Sequence, residues 1–168
     1  NLMGVIHGVH AVLPGMLRRR AGHIVHIASL AGRIPTPFGA VYAATKFGVV
    51  GFTEALRHEL HGSGVTLTSV MPGFVQTELV SGLATPTWPR PCTPDTVAKS
   101  TLRGVIKRKG RVYVPWFAGM LVILPWIVPH TISVWLSRVF GVHSVLKPVD
   151  EEARSLYRSR AVMVRRKE

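Results

Sequence analysis

Three short apolar runs, separated by longer helical patterns, constrain the fold of this chain most strongly. The runs are rich in β-branched residues, as is typical of buried parallel strands, and comprise residues 22–28, 65–71 and 112–115. Apolar periodicity and an N-cap signal at Thr93 predict helices over residues 1–16, 41–60 and about 94–106. Because strands alternate with helices, we expect an α/β fold built on a parallel sheet.

The connection after the first predicted strand carries three chemically active side chains. Ser29 follows the carboxyl end of that strand, where reactive groups of open α/β sheets gather. Tyr42 and Lys46 are four residues apart at the start of the next helix, so they share one helix face. There the ammonium would stabilise the ionised phenol, which makes tyrosine usable as an acid or base near neutral pH. Taken singly, Ser29 reads as a turn cap, Tyr42 as a half-buried aromatic residue and Lys46 as a solvated charge.

The spacing of these residues resembles the signature of the short-chain dehydrogenase/reductase family. Tyr42 follows Ser29 by thirteen positions, Lys46 comes after three intervening residues, and Pro-Gly-Phe-Val-Gln-Thr occupies residues 72–77. The resemblance covers residues 1 to about 115 and implies the last three strands of a Rossmann-like, doubly wound parallel sheet with helices on both faces. It divides the chain into a catalytic half, residues 1–115, and an apolar, then basic, helical extension, residues 116–168.

The resemblance also implies a reaction, the NAD(P)-dependent interconversion of a hydrophobic alcohol and a ketone or aldehyde. In it Tyr42 is the general acid/base, Lys46 supports Tyr42 and touches the nicotinamide ribose, and Ser29 polarises the substrate carbonyl. The resemblance matches Asn1 to the family's asparagine that helps to hold a proton-relay water. Taken by itself, Asn1 is equally well interpreted as a helix cap or a chain end. The choice of a hydrophobic substrate rests on the apolar composition of the C-terminal region.

The expected cofactor is NAD or NADP, with no preference between the two. The resemblance places its nicotinamide end against Tyr42, Lys46, Pro72, Gly73, Val75 and Thr77. The resemblance also implies that residues 81–94 are part of a substrate lid. It further implies a homodimer in which the helices at 1–16 and 41–60 pack against their copies in the second subunit. Alternatively, Gly48 and Gly51 only let the second of these helices approach its own sheet.

The family's glycine-rich TGxxxGxG turn, which binds the pyrophosphate, is absent from the 168 residues. We therefore expect either part of a longer reading frame, whose other half completes the oxidoreductase, or a truncated relative. The second reading gives the alternative function, a non-catalytic, membrane-associated or dimerising remnant.

Composition favours a membrane as partner over nucleic acid. The chain has a formal charge of +13, a mean hydropathy of +0.27 and no recognised nucleic-acid motif. Between Arg111 and Arg138 no side chain is formally charged, and Pro125 and Pro129 interrupt the apolar run. We expect an interfacial helical hairpin on anionic lipid or, equally, a hydrophobic cap over the substrate pocket. The charged residues 150–168 predict a helix or a frayed tail.

The remaining signals concern cysteine, histidine and targeting. A single cysteine, Cys92, excludes an internal disulfide and indicates a reducing compartment, and we expect it to be inert. Three His-x-x-His pairs have no acidic or cysteine ligands at metal spacing, so no metal is expected. The sequence shows no secretory signal pattern. We therefore expect a cytoplasmic protein with peripheral membrane contact.

Overall fold

Helices and strands alternate through most of the chain in a computed structural model, which describes residues 1–84, 86, 90–139, 141, 150, 152 and 155. The regular elements are α1 (Leu2–Arg18), β1 (Gly22–Ile27), α2 (Ala40–Glu59), β2 (Val65–Pro72), α3 (Pro94–Ile106), β3 (Arg111–Val114), α4 (Ala118–Leu121), α5 (Leu124–Ile127) and α6 (His130–Val139). Short 3-10 turns follow β1 and β2 at Leu30–Gly32 and Glu78–Val80. Each predicted strand and each of the three predicted helices before residue 110 is present, with ends shifted by one or two residues.

The three strands form one parallel sheet in the order β1, β2, β3. Gly22 pairs with Val65 at the start of β1, and Pro72 pairs with Val114 at the end of β3. All three strands therefore end at the same edge, and the residues that follow them are neighbours. This confirms the prediction of an α/β fold with a parallel sheet.

Helices α1 and α2 cover one face of the sheet. Val9 of α1 and Leu56 of α2 pack with Ile24 of β1 and Leu67 of β2. Towards the carboxyl ends of the strands the same face is filled by Val49, Val50, Ala28 and Met71. Each buried aliphatic side chain of this size contributes roughly 1.5–3 kcal/mol relative to an exposed one, so this face holds α2 firmly on the sheet.

Helix α3 covers the opposite face. Its Val97 packs with Val70, Val112 and Val114. These strand residues alternate with those that face α1 and α2, as the two-residue period of a strand requires. The helices on both faces confirm the doubly wound arrangement.

An ion pair joins α2 to the start of β3. Arg111 donates from Nε and Nη2 to the carboxylate of Glu54, each at 2.8 Å. These bonds hold the pKa of Glu54 below its ordinary value, against the opposing effect of burial. The pair fixes the third strand relative to the helix that carries Tyr42 and Lys46.

The apolar segment after β3 folds into three short helices instead of a two-helix hairpin. Ala118 and Val122 are buried, and the Trp126 indole donates to the carbonyl of Arg33 at 2.8 Å. The Trp126 ring also meets the Phe47 ring edge to face, with centroids 6.0 Å apart. Trp126 of α5 therefore contacts both the connection after β1 and α2. Within the part of the chain that the structure describes, no helix is long and apolar enough to span a bilayer.

Some expectations fall on residues that the structure does not describe. The predicted helix over 150–168 lies outside the described residues except at 150, 152 and 155, and the predicted lid loop lacks residues 85 and 87–89. The division of the chain at residue 115 stays a prediction.

Candidate active site

Ser29 is fixed by the turn that follows β1. Its backbone is extended, and its Oγ accepts a hydrogen bond from the backbone N–H of Ala31 at 3.1 Å. The same hydroxyl donates to the carbonyl of Pro72 at 3.5 Å, well beyond the usual 2.7–2.8 Å for such bonds. The proton of Ser29 is therefore weakly held. A ligand oxygen in the adjacent space can compete for it.

Helix α2 presents Tyr42 and Lys46 towards the end of β1. The Lys46 ammonium donates to the carbonyl of Ile27 at 3.1 Å and lies 5.7 Å from the centroid of the Tyr42 ring. Burial lowers the pKa of the Lys46 ammonium below its ordinary value. The cation is thus held beside the tyrosine by the strand that delivers Ser29.

Gly32 allows the turn after β1 to approach α2 closely. A Cβ at this position would lie 2.6 Å from the carbonyl oxygen of Lys46 and 3.0 Å from a methyl group of Val50. No side chain fits in that space, so glycine at residue 32 sets the distance between the Ser29 turn and the Tyr42 helix.

The loop after β2 runs along the same edge of the sheet. Three backbone hydrogen bonds hold it, from Gly73 N to Val114 O (2.7 Å), from Gln76 N to Cys92 O (2.9 Å) and from Cys92 N to Phe74 O (2.8 Å). The loop is therefore tied to β3 and to the chain at residue 92. Burial raises the pKa of the Cys92 thiol, which disfavours the reactive thiolate.

A cavity of about 1000 Å³ opens where these elements meet. Its lining includes the predicted site residues Ser29, Tyr42, Lys46, Pro72, Gly73, Val75 and Thr77. Asn1 is not among the lining residues. It is exposed at the N-cap position of α1 and its side chain makes no capping hydrogen bond. The catalytic and cofactor roles of all eight residues stay predictions.

Most of the remaining wall is apolar and was not predicted from the sequence. Helix α3 contributes Val97, Ala98, Thr101, Leu102 and Val105, and the connection before α2 contributes Ile34, Thr36 and Phe38. The spacing of Val97, Thr101 and Val105 by four residues was a usable signal, since such residues share one helix face. Leu83, Pro86 and Arg90 of the predicted lid loop also line the cavity.

The histidines of the part of the chain that the structure describes are not assembled into a metal centre. There, no three His, Cys, Asp or Glu side chains are grouped to hold an ion. His23 instead contacts the hydroxyls of Thr66 and Thr68, and His26 contacts the hydroxyl of Thr53.

Similarity to known proteins defines the family to which this chain belongs. Residues 1–87 match the sequence model of a family described as short chain dehydrogenase, and this chain belongs to that family. It is 33% identical over 145 residues to the 17-beta-hydroxysteroid dehydrogenase 13 of Rattus norvegicus, covering 84% of this chain and 48% of that protein. It is 32% identical over 152 residues to the Estradiol 17-beta-dehydrogenase 11 of Mus musculus, covering 84% and 51%. The chain thus spans about half the length of these curated relatives.

Solved structures give the same fold. A short-chain dehydrogenase of Sphingobium yanoikuyae in complex with NADPH superposes with a TM-score of 0.62 at 28% identity, covering 77% of this chain and 54% of that one. A short chain dehydrogenase/reductase of Burkholderia phymatum in complex with NAD gives 0.59 at 29% identity, covering 71% and 53%.

Proposed function

We propose that this chain provides the substrate-binding and proton-transfer part of an NAD(P)-dependent oxidoreductase that interconverts a hydrophobic alcohol and a ketone or aldehyde. The observation that carries the proposal is the convergence of Ser29, Tyr42 and Lys46 on one largely apolar cavity. The names of the relatives, hydroxysteroid and estradiol dehydrogenases, support alcohol and ketone chemistry.

The proposed mechanism assigns one task to each side chain. For reduction, the Ser29 hydroxyl donates a hydrogen bond to the substrate carbonyl oxygen, and the Tyr42 phenol transfers a proton to that oxygen. Lys46 stabilises the phenolate that remains, because a cation close to an anion in a partly buried site lowers its energy. In oxidation the phenolate accepts the proton from the alcohol. The nicotinamide, when bound, supplies or accepts the hydride.

The residues present fit the nicotinamide end of such a cofactor. The loop of Pro72, Gly73, Val75 and Thr77 borders the cavity, its backbone is immobilised by hydrogen bonds, and the Thr77 side chain makes no capping bond of its own. We propose that this loop and Lys46 hold the nicotinamide and its ribose. Because the 168 residues contain no glycine-rich turn for the pyrophosphate, we expect them to bind NAD(P)H weakly on their own.

The proposal is tested by nucleotide-dependent turnover. The natural polypeptide that contains residues 1–168 should consume NADH or NADPH when supplied with a steroid ketone or a long-chain aldehyde. A Ser29→Ala variant should still fold but be slower, because it lacks the hydrogen bond to the carbonyl. It should also lose about 1 kcal/mol of stability, because the turn bond to Ala31 N–H is lost. Consumption of neither nucleotide with either substrate, by a folded preparation, would contradict the proposal.

A homodimer through α1 and α2 is part of the same proposal. Gly48 does not support it, since a Cβ there would lie 2.8 Å from Leu2 of the same chain. Gly51 does, because it is exposed and a Cβ there would meet nothing within 4 Å. Sedimentation of a Gly51→Arg variant provides the test, since a dimer packed on this surface would dissociate and any other assembly would persist.

A second candidate function is membrane association without catalysis. It is favoured by the exposed tryptophans of the segment after β3, since Trp116 is 79% exposed and Trp135 is 60% exposed. Cations flank this segment at residues 107–109 and at Arg138. Aromatic rings beside cations are suited to the interface of an anionic bilayer.

A further inference from the structure

Two arginines occupy a backbone position that glycine usually takes. Helices α1 and α3 end in the same type of turn, in which a backbone N–H donates to the carbonyl five residues earlier, from Ala21 at 3.2 Å and from Lys109 at 2.9 Å. The residue before each donor is left-handed, with φ +52° at Arg20 and +47° at Arg108. Such turns favour glycine there, because a Cβ on a left-handed backbone is strained. The chain therefore accepts strain at both helix ends to carry an arginine.

Ending the helices does not require arginine at these positions. The turn after α2 has a glycine in the left-handed conformation, Gly62 with φ +76°. Cations favour the negative end of a helix dipole, but Arg18 and Lys107 already supply one at the ends of α1 and α3. Arg20 also donates from Nη2 to the Gly62 carbonyl at 3.2 Å, a bond that leaves its charge uncompensated. Strained residues of this kind concentrate at functional sites.

Both arginine turns lie at the amino edge of the sheet, where the strands begin. Arg20 comes two residues before β1. The Lys109 carbonyl, in the turn before β3, accepts from Thr68 Oγ1 at 2.7 Å, and Thr68 Oγ1 lies 2.8 Å from Nε2 of His23 in β1. Burial and the nearby Arg108 guanidinium both lower the pKa of His23. Because only β2 separates β1 from β3, the strands that the two turns precede are about 10 Å apart.

The two turns carry a surplus of positive charge. We call their six exposed cations the cationic edge: Arg18, Arg19, Arg20, Lys107, Arg108 and Lys109. None of the six forms an ion pair with another described residue. Glu54 is paired with Arg57 and Arg111, so the last turns of α2 add only the exposed carboxylate of Glu59. Glu59 and three helix ends, each equivalent to about half a negative charge, leave more than half of the six charges uncompensated.

Exposed aliphatic side chains stand beside both groups of cations. Leu17, 40% exposed, directly precedes Arg18, and Ile106, 71% exposed, directly precedes Lys107. This combination suits an anionic bilayer, because headgroup phosphates attract the cations while the aliphatic side chains enter the interface. Residues 17–20 and 106–109 include no aromatic side chain on which the bases of a single-stranded nucleic acid could stack.

We propose that the cationic edge docks on an anionic phospholipid membrane. The cavity and Trp116 lie at the opposite end of the sheet, after the carboxyl ends of the strands. The eight residues of β2 put about 25 Å between the two ends, which is several Debye lengths at physiological salt. The cationic edge is therefore a membrane contact separate from the exposed tryptophans, and it does not depend on the proposed oxidoreductase activity.

Vesicle binding by a protein without the exposed tryptophans tests this docking surface. The folded 168-residue chain with Trp116→Ser and Trp135→Ser should still bind vesicles of phosphatidylcholine and phosphatidylserine at low salt, and salt should release it. Adding Arg20→Gly and Arg108→Gly should lower the partition coefficient by about 5-fold for each cation removed. Adding Arg20→Lys and Arg108→Lys instead should retain most of the binding, because the charges are kept.

Two controls separate docking from folding and from net charge. The glycine variant should keep or raise the melting temperature, because glycine relieves the backbone strain. Arg33→Gln with Arg90→Gln removes the same charge from the opposite end of the sheet and should leave vesicle binding nearly unchanged.

Three results would overturn the inference. The first is a lower melting temperature of the glycine variant with unchanged vesicle binding, which would make Arg20 and Arg108 structural residues. The second is an equal loss of binding in the Arg33→Gln, Arg90→Gln control, which would attribute binding to net charge alone. The third is binding of duplex DNA but not of vesicles, which would assign the cationic edge to nucleic acid.

Discussion

His26 shows how the protonation state of one buried side chain is set by its neighbour. Thr53 donates its hydroxyl proton to the carbonyl of Val49, so its oxygen is left to accept from His26 Nδ1 at 2.7 Å. Nδ1 therefore carries the proton, and Nε2 is a buried acceptor without a hydrogen-bond partner among the described residues. Protonation would put a charge where nothing stabilises it. Burial accordingly lowers the pKa of His26.

The protein should lose stability as the pH falls below about 6.5, the ordinary histidine pKa. Above that pH His26 is neutral in both states. Below it the unfolded state binds the proton first, so the free energy of unfolding falls until the lowered folded-state pKa is passed, by at most about 1.4 kcal/mol per pH unit. The pKa of His23 is also lowered by burial and adds in the same direction.

Urea unfolding at several pH values measures this loss of stability. A His26→Gln variant should show a shallower pH dependence than wild type, whereas His10→Gln, on the exposed side of α1, should keep the wild-type slope. If His26→Gln and wild type lose stability in parallel, His26 is not the group responsible.

At the scale of elements, the site depends on how closely the Ser29 turn approaches α2. Gly32→Ala should destabilise the protein by about 1–3 kcal/mol, because the added methyl group meets the backbone of Lys46, which cannot move aside. The matched control is Gly15→Ala in α1, whose Cβ comes no closer than 3.4 Å to the flexible Arg19 side chain. That variant should be up to about 1 kcal/mol more stable. Thermal unfolding compares the two, and equal stability of Gly32→Ala and wild type would show that the turn can move.

Local patterns predicted the elements that build the site, because strands and caps have local signals. The Thr93 cap is an example, since its Oγ1 accepts from Thr96 N at 3.2 Å and α3 begins at the next residue. Ser29, Tyr42 and Lys46 were found by their spacing. The four-residue spacing in α3 indicates that Val97, Thr101 and Val105 share a helix face. That this face lines the cavity could not be predicted, since it depends on which elements meet after the chain has packed. The bounds of the short helices after β3 could not be predicted either. Neither α4 nor α5 has a side-chain cap, and Pro125 lies in the first turn of α5 while Pro129 directly precedes α6.

For the whole molecule, the combination of positive charge and exposed aromatic rings predicts binding to anionic vesicles. Flotation with phosphatidylserine-containing vesicles should recover the protein at low salt and recover less as salt screens the cations. Replacing Trp116 and Trp135 with serine should reduce recovery. Trp126→Phe is the internal comparison, since Trp126 is partly engaged with Phe47 and Arg33. Equal recovery of the double variant and wild type would assign the exposed rings to another role.

The most direct test of the proton-transfer site is the turnover of Tyr42→Phe in the natural polypeptide that contains residues 1–168. Removing only the phenolic oxygen should lower turnover by about 10²–10⁴-fold, the usual contribution of a positioned acid or base, with an unchanged melting temperature. Tyr113→Phe is the matched control, because Tyr113 packs beside Met71 and is not among the cavity-lining residues. It should keep wild-type turnover. Near-normal turnover of Tyr42→Phe would contradict the account, because Tyr42 would then not be the residue that moves the proton.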